Sequence, residues 1–368
     1  MRKVVAILFI GILLLTGCWD QQLLKDDRLA YVIGYDLVND SKIQSTTVLL
    51  KVSGMPGEKN EYSEVHTATG FTSRHTRDIT DREVPGRFSA SKLRMILIGE
   101  NMARQGIYPL LDVYYRDPKS ALNSKIAVVQ GTANGMIFPK AKNTHINGEF
   151  NRLVRSGEIR TIVPPVNLEL ICTQMLDPGE DFAVPYLRSH GQSPVIEGIA
   201  LFNDDKLTGT LNSEDSLIYL LMKDKLSKTA SLTLKVEENE NETPYNYIAL
   251  DFQKLNRKLK VKVEGYKQIK VALDLSVKVT AIEYPKDHLY LNQTLEKLDR
   301  KLSEDLTKRA VSVVKQMQEH NHDGLGIGRR IIAYHPNAWS KLNWEEDYPH
   351  IEIIPKVTVE IVNHGIVN

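Results

Sequence analysis

Ile269, Val271, Leu273, Leu275, Val277 and Val279 alternate with polar residues, Lys270, Asp274, Ser276, Lys278 and Thr280 among them. A period of two over that length makes a strand with one apolar and one wet face, and the apolar face must be covered. The cover follows directly. From Asn292 to His320, Leu291, Leu295, Leu298, Leu302, Leu306, Ala310, Val313 and Met317 recur at spacings of three and four. That is the stripe of an amphipathic helix laid on a sheet. Glu296–Arg300, Glu304–Lys308 and Asp305–Arg309 are acid-before-base pairs on its flanks. Upstream, Leu232/Leu234/Val236, Ile248/Leu250/Phe252 and Leu259/Val261/Val263 alternate in the same way, and Glu237 to Pro244 is an acidic turn. The sequence from 230 onwards therefore predicts an antiparallel sheet packed by one long helix, with Val357 to Val362 as a last strand.

The preceding part has a different grain. Leu29 to Leu37 and Ile43 to Val52 flank the turn cluster Asn39-Asp40-Ser41 and predict a hairpin, with Gly34 marking a bend or a close contact. Glu64 to Phe71 is a third strand and Thr72 to Glu83 a polar helix. Leu93 to Gly99 is a continuous apolar run, the mark of a strand buried on both faces. Two helices follow, Glu100 to Gln105 stopped by Gly106 and Tyr108 to Tyr115 stopped before Asp117-Pro118; Lys125 to Gly131 is again a strand. Strand, helix, strand in that order allows parallel pairing. Asn134 to Asn143 reads as a short helix broken at Pro139, and Ile146 to Arg155 and Leu168 to Met175 as further helices. A loop rich in Pro, Gly and Ser then leads to Ser193-Pro194. Ile196 to Phe202 and Lys206 to Leu211 make a hairpin across Asn203-Asp204-Asp205, and Ser213 to Lys225 a helix with Ser213 as its N-cap. The expected class is α+β in three parts after a leader: 18–193 a mixed sheet with helices, 194–229 a small hairpin–helix unit, and 230–368 the antiparallel sheet with its long helix.

The leader is 1–17. Arg2 and Lys3 precede an unbroken apolar run from Val4 to Leu15. As a helix it reaches roughly 18 Å, short of the roughly 30 Å of a bilayer core. Leu15-Thr16-Gly17-Cys18 resembles the lipobox of bacterial lipoproteins. That resemblance implies cleavage between Gly17 and Cys18 and a diacylglycerol thioether on Cys18. Palmitate-type acyl chains would then hold the mature chain at an outer membrane face, and two chains tether stably where one does not. A secreted protein with an incidental cysteine and an uncleaved anchor are the other two readings. No later apolar run is long enough to span a bilayer. Lys and Arg number 47 against 46 Asp and Glu; without Arg2 and Lys3 the balance is 45 against 46. A near-neutral chain is not built to bind nucleic acid.

Candidate chemistry is sparse. If Cys18 carries lipid, Cys172 has no disulfide partner, and its apolar neighbours Leu168 to Ile171 predict a buried, inert thiol. Gly324-Leu325-Gly326-Ile327-Gly328 follows a helix instead of a strand and lacks Gly-Lys-Ser/Thr, so it reads as a helix end with a tight turn rather than a phosphate loop. His320, His322 and Asp323 could draw a metal, but His-x-His at a fraying helix end is expected to face solvent. His66, His75, Asp78 and Asp81 lie in one polar segment with no selecting spacing. Trp339 and Trp344 suit the closing of a core or a rim contact with a partner protein. No catalytic set, cofactor loop or metal site emerges.

Several segments, in order, look like one family. Cys18-Trp19-Asp20 with Ile33-Gly34-Tyr35-Asp36, then Ile98-Gly99-Glu100 through Gly106, then Glu197-Gly198-Ile199-Ala200-Leu201-Phe202 with Asp205-Lys206-Leu207 and Gly209, and finally the long helix, Asp323 to Gly328, Pro336, Trp339, Trp344 and Gly365, resemble the Ger(x)C lipoproteins. These are the C subunits of bacterial spore germinant receptors. Ile-Gly-Tyr-Asp stands where the family pattern has glycine, an apolar residue and Asp. The resemblance implies a three-domain α+β fold without catalytic activity or cofactor, lipid-anchored at the spore inner membrane. It implies two integral membrane partners, an A-type subunit and a transporter-like B-type subunit, in a nutrient receptor that triggers germination. A lipoprotein solute-binding protein serving a transporter is the alternative, and the antiparallel C-terminal part argues against it.

Overall fold

The computed structural model describes residues 27–53, 60–140, 146–237, 241–265 and 268–365. The leader and the lipobox, Gly17 and Cys18 included, lie outside these residues.

A nine-stranded sheet forms the first layer. β1 (Asp27–Asn39), β2 (Lys42–Ser53) and β3 (Asn60–Gly70) are an antiparallel meander. Helix α1 (Ser73–Glu83) then starts on a cap, Thr72 Oγ1 accepting from the His75 amide at 3.0 Å. The short β4 (Arg87–Ser89) pairs with the start of β1. β5 (Met95–Gly99) lies parallel to β1. It is followed by α2 (Glu100–Gln105) and α3 (Tyr108–Arg116), and β6 (Lys125–Val129) pairs parallel with β5. The expected parallel unit is thus present. Met95, Ile96, Leu97 and Ile98 are wholly buried, because helices cover both faces of the sheet there. Gly34 is the expected close contact: a Cβ there would lie 2.7 Å from Ile137 Cδ1 on α4 (Ala133–Ile137).

After α5 (Ile146–Ile159) and α6 (Leu168–Leu176), the stretch expected as a loop contains β7 (Ala183–His190), parallel to β6. Pro185 within Ala-Val-Pro-Tyr-Leu disguised it, since proline usually argues against an interior strand. β8 (Ser193–Asn203) pairs antiparallel with β7, and β9 (Lys206–Asn212) with β8. The hairpin of 194–229 therefore completes the first sheet, in the order β3-β2-β1-β5-β6-β7-β8-β9. Helix α7 (Ser213–Met222) is capped by Asn212, not by Ser213: Asn212 Oδ1 accepts from the Asp215 amide at 2.9 Å.

The second sheet runs β10-β11-β12-β13. β10 (Ser231–Lys235), β11 (Tyr247–Gly265) and β12 (Gln268–Glu283) are antiparallel as expected, though β11 is one continuous 19-residue strand where the pattern showed two segments. The bulge between Phe252 and Lys254 shifts the alternation and split it in the sequence. The long helix α8 (Asn292–Glu319) covers one face with Leu298, Leu302, Leu306, Ala310, Val313 and Met317 buried, while Leu291 stays 46% exposed. Arg309 does not hold Asp305; it reaches Glu214 on α7 at 2.6 Å. β13 (Glu352–Asn363) departs from the antiparallel pattern and pairs parallel with β12. An intervening long helix turns the chain back over the sheet, so the strand after it runs in the same direction as the one before. One apolar core is continuous from Leu97 and Phe150 under the first sheet, through α7, to Leu273 and Leu302 of the second.

Candidate functional site

The buried ionisable groups concentrate where the first sheet meets the segment after α8. α8 ends at Glu319, and the turn through Gly324 and Gly326 delivers α9 (Ile327–Tyr334), α10 (Pro336–Trp339) and α11 (Trp344–Asp347). His322 is expected to face solvent, and Asp323 follows it in the chain. Both are buried, at 0% and 1% exposure. The helix end does not fray, because the β8–β9 turn and Tyr348 close over it.

Each group there has a defined task. Asp323 accepts from the amides of Ile327 at 3.0 Å and Gly328 at 2.8 Å, which caps α9 where its amides are unpaired. The Asp323 amide donates to Asp181 Oδ2 at 2.6 Å, and the Asp181 amide donates back to the Asp323 carbonyl at 3.0 Å. Asp181 also accepts from the Asp204 amide in the β8–β9 turn at 3.2 Å. Burial pushes the Asp323 carboxyl up to about 7 and the Asp181 carboxyl up to about 6; the backbone amides oppose the shift without cancelling it.

His322 Nδ1 lies 2.5 Å from the Phe202 carbonyl oxygen. A carbonyl only accepts, so Nδ1 carries the proton, and Nε2 is left to accept from Tyr219 Oη at 3.0 Å. Burial lowers the His322 pKa to about 3, so the ring is a neutral bridge between β8 and α7. Tyr348 Oη donates to the His322 carbonyl at 2.6 Å. Lys223, just past α7, donates to the Gly324 carbonyl at 2.6 Å and pairs with Glu180 at 3.1 Å; burial lowers its pKa and Glu180 opposes that. Arg329 spans Glu180 and Asp177, each at 3.2 Å.

Close packing completes the junction. A Cβ on Gly328 would lie 2.7 Å from Gly179 Cα and 2.8 Å from the Trp344 ring, so only glycine fits between them. The Trp344 ring packs tilted against Trp339 at 5.3 Å and against Tyr348 at 5.5 Å between centroids. Both tryptophans are half-buried and pack against the core. Beside the junction lies a cleft of 440 Å³, lined by Pro164, Pro165, Leu170, Glu180, Lys223 and Arg329 among others.

The other residues singled out by sequence are not assembled. His66 lies on β3 near Glu64 at 3.7 Å, Asp78 pairs with Arg74 at 2.9 Å, Asp81 accepts from the Phe88 amide at 2.5 Å, and His75 sits at the start of α1. Cys172 is half-exposed on α6 instead of buried, because the helix turns Leu168 and Ile171 inward and leaves position 172 on its flank; partial burial still raises its pKa. Sequence reading missed Asp181, Tyr219 and Lys223. Asp323 had one signal: an acid just ahead of a glycine turn and a new apolar helix is a capping pattern.

The chemistry built here is that of a clamp. It fastens the start of α9 to the end of the first sheet through backbone amides and carbonyls, which is the arrangement of a joint. Residues 20–189 match the family model for the spore germination protein N-terminal domain, and residues 197–365 the model described as spore germination B3/GerAC like, C-terminal.

The chain belongs to the Ger(x)C spore germination family.

The two models meet within the β7–β8 hairpin, so the joined halves share the first sheet. Spore germination protein GerQC of Bacillus cereus is 21% identical over 374 residues, covering 100% of this chain and 99% of that one. The putative spore germination protein YfkR of Bacillus subtilis (strain 168) is 22% identical and covers 95% and 93%. Spore germination protein KC of the same strain is 20% identical and covers 98% and 95%. A crystal structure of the GerBC protein superposes with a TM-score of 0.58 over 90% of this chain and 97% of that one, at 16% identity. That likeness establishes the shared α+β fold. This Ger(x)C protein is thus a C-subunit relative with a role in germination.

Proposed function

We propose that this Ger(x)C protein is the lipid-anchored, non-enzymatic subunit of a nutrient receptor that triggers spore germination. The observation that carries the reading is the match of both family models, in order, across 20–365. Leu15-Thr16-Gly17-Cys18 supports the anchor: Cys18 takes the diacylglycerol, and Gly17–Cys18 is the bond cleaved. Among the described residues no helix is long and apolar enough to cross a membrane. The partners are two integral membrane subunits, one A-type and one transporter-like B-type, at the outer face of the spore inner membrane. Confinement to that surface raises effective concentration, so modest contacts suffice. The half-buried Trp339 and Trp344 are the proposed contact patch. The stretches 18–193, 194–229 and 230–368 are its proposed units, with the hairpin of the second completing the sheet of the first. The buried groups of the clamp are spent on capping and bridging, which supports a scaffold over a catalyst.

The test is the intact mass and N-terminus of the protein extracted from spore membranes, with Cys18→Ala beside it. A chain starting at Cys18 with a diacylglyceryl mass, and release of the variant with slowed nutrient germination, is the expected result. An unmodified chain, or a variant that stays on the membrane and germinates normally, would sink the reading.

A further inference from the structure

The described chain enters the fold at Asp27, and Asp27 lines a groove of 700 Å³ between α1, β4 and the turn after α3. Four basic side chains line it, Arg74, Arg77, Arg87 and Lys119, against two acids, Asp27 and Asp117. The guanidinium groups are held in place. Arg87 sets Nη2 at 2.7 Å and Nε at 3.1 Å from Asp27 Oδ1. Arg77 contacts Asp117 at 3.2 Å and lies 5.0 Å over the Phe88 ring. Arg74 leans on Asp78 and is 60% exposed. A guanidinium has five N–H donors, so these contacts leave donors of Arg77 and Arg87 for a ligand. On the same wall Ser89 and Ser91 share one hydrogen bond at 2.9 Å, which uses one of their two hydroxyl protons. Planar Arg forks, an ammonium and serine hydroxyls are a donor set for a phosphate ester, even though Asp27, Asp78 and Asp117 each hold one of the guanidinium groups.

We propose that this groove docks the phosphodiester headgroup of an anionic phospholipid in the membrane that holds the anchor. The inference rests on the lipidation of Cys18 proposed above. Nine residue steps separate Cys18 from Asp27, and even fully extended they span roughly 30 Å. With Cys18 acylated, a wall of the groove therefore stays within that distance of the headgroups. The open face of the second sheet is also basic, with Lys254, Lys258, Lys260 and Lys262 on β11. It carries no arginine fork in that row and no tie to the anchor, which makes it the control surface.

The probe is vesicle co-sedimentation of the chain from residue 18 with Cys18→Ala. This retains every described element, since the first begins at Asp27. Vesicles of phosphatidylcholine are compared with vesicles that also contain phosphatidylglycerol. Near an anionic surface each basic residue is worth about fivefold in partitioning. Arg74→Gln with Lys119→Gln, both exposed, should weaken binding to the anionic vesicles roughly thirtyfold, and Arg87→Gln alone about fivefold. Lys258→Gln with Lys260→Gln should change it less than twofold. Binding equal on neutral and anionic vesicles, or loss through the sheet-face pair and not the groove pair, overturns the proposal. So does saturable binding of inorganic phosphate that needs the groove while vesicles are ignored, which would make the source a free anion. The anchor reading fails separately, by an unlipidated mature chain, and that result would leave the vesicle measurement standing.

Discussion

Replacing Asp323 by alanine removes the acceptor of two buried amides, Ile327 and Gly328, at 3.0 and 2.8 Å. Loss of a helix cap costs about 0.5–2 kcal/mol, and a buried amide left without a partner about 1–3 kcal/mol. Some relaxation of the turn recovers part of this, so the expected loss is about 2–4 kcal/mol. Asp323→Asn keeps one acceptor and turns an amide group toward the second N–H; its loss should be about half as large. The charge gives an independent reading. Burial raises the folded Asp323 carboxyl from its ordinary value of 3.8 to about 7, and Asp181 to about 6. The native state thus holds these protons more tightly than the unfolded chain. Their contribution is full below about pH 4 and is lost as pH rises through 6 and 7. The wild-type advantage over Asp323→Asn should therefore shrink over that window, with a slope of at most about 1.4 kcal/mol per pH unit. Urea unfolding followed by tryptophan fluorescence is the assay, because Trp344 packs against Gly328 at the start of α9. A loss below about 1 kcal/mol for the alanine variant, or a pH slope identical in wild type and Asp323→Asn, would refute the capping argument.

Two further outcomes are expected. A Cβ on Gly99 would lie 2.1 Å from Asp36 Oδ1, whose carboxylate accepts from the Ala133 and Asn134 amides at 2.7 and 2.8 Å. Gly99→Ala should cost about 1–3 kcal/mol in urea unfolding, and wild-type stability would show that Asp36 can move without consequence. Leu302 is fully buried on the inner face of α8 while Val311 is 50% exposed on the same helix. Leu302→Ala should cost about 2–5 kcal/mol and Val311→Ala within about 0.5 kcal/mol by thermal melts, and equal losses would mean that the helix face is assigned wrongly.

Much of this fold is legible from local pattern. The hairpin β1–β2, the parallel pair β5–β6, the two helices stopped at Gly106 and Asp117, and the stripe of α8 stand close to where periodicity and stop signals put them. So does the family, because its matching segments keep their order along the chain. A side chain's spacing reports its own element's face, and these features need nothing more.

What the tertiary structure decided is who lies opposite. β13 runs parallel to β12 because α8 carries the chain back across the sheet, a fact of direction that alternation does not encode. β7 escaped notice because Pro185 breaks a propensity that its neighbours β6 and β8 override. His322 reads as a solvent-facing residue past a helix end with Asp323 beside it, and Phe202, Tyr219, Tyr348 and Asp181, distant in sequence, bury them. Burial belongs to both surfaces of a contact. A sequence displays one of them at a time, so a polar residue that will be enclosed looks the same as one that will stay wet until the fold brings its partners in.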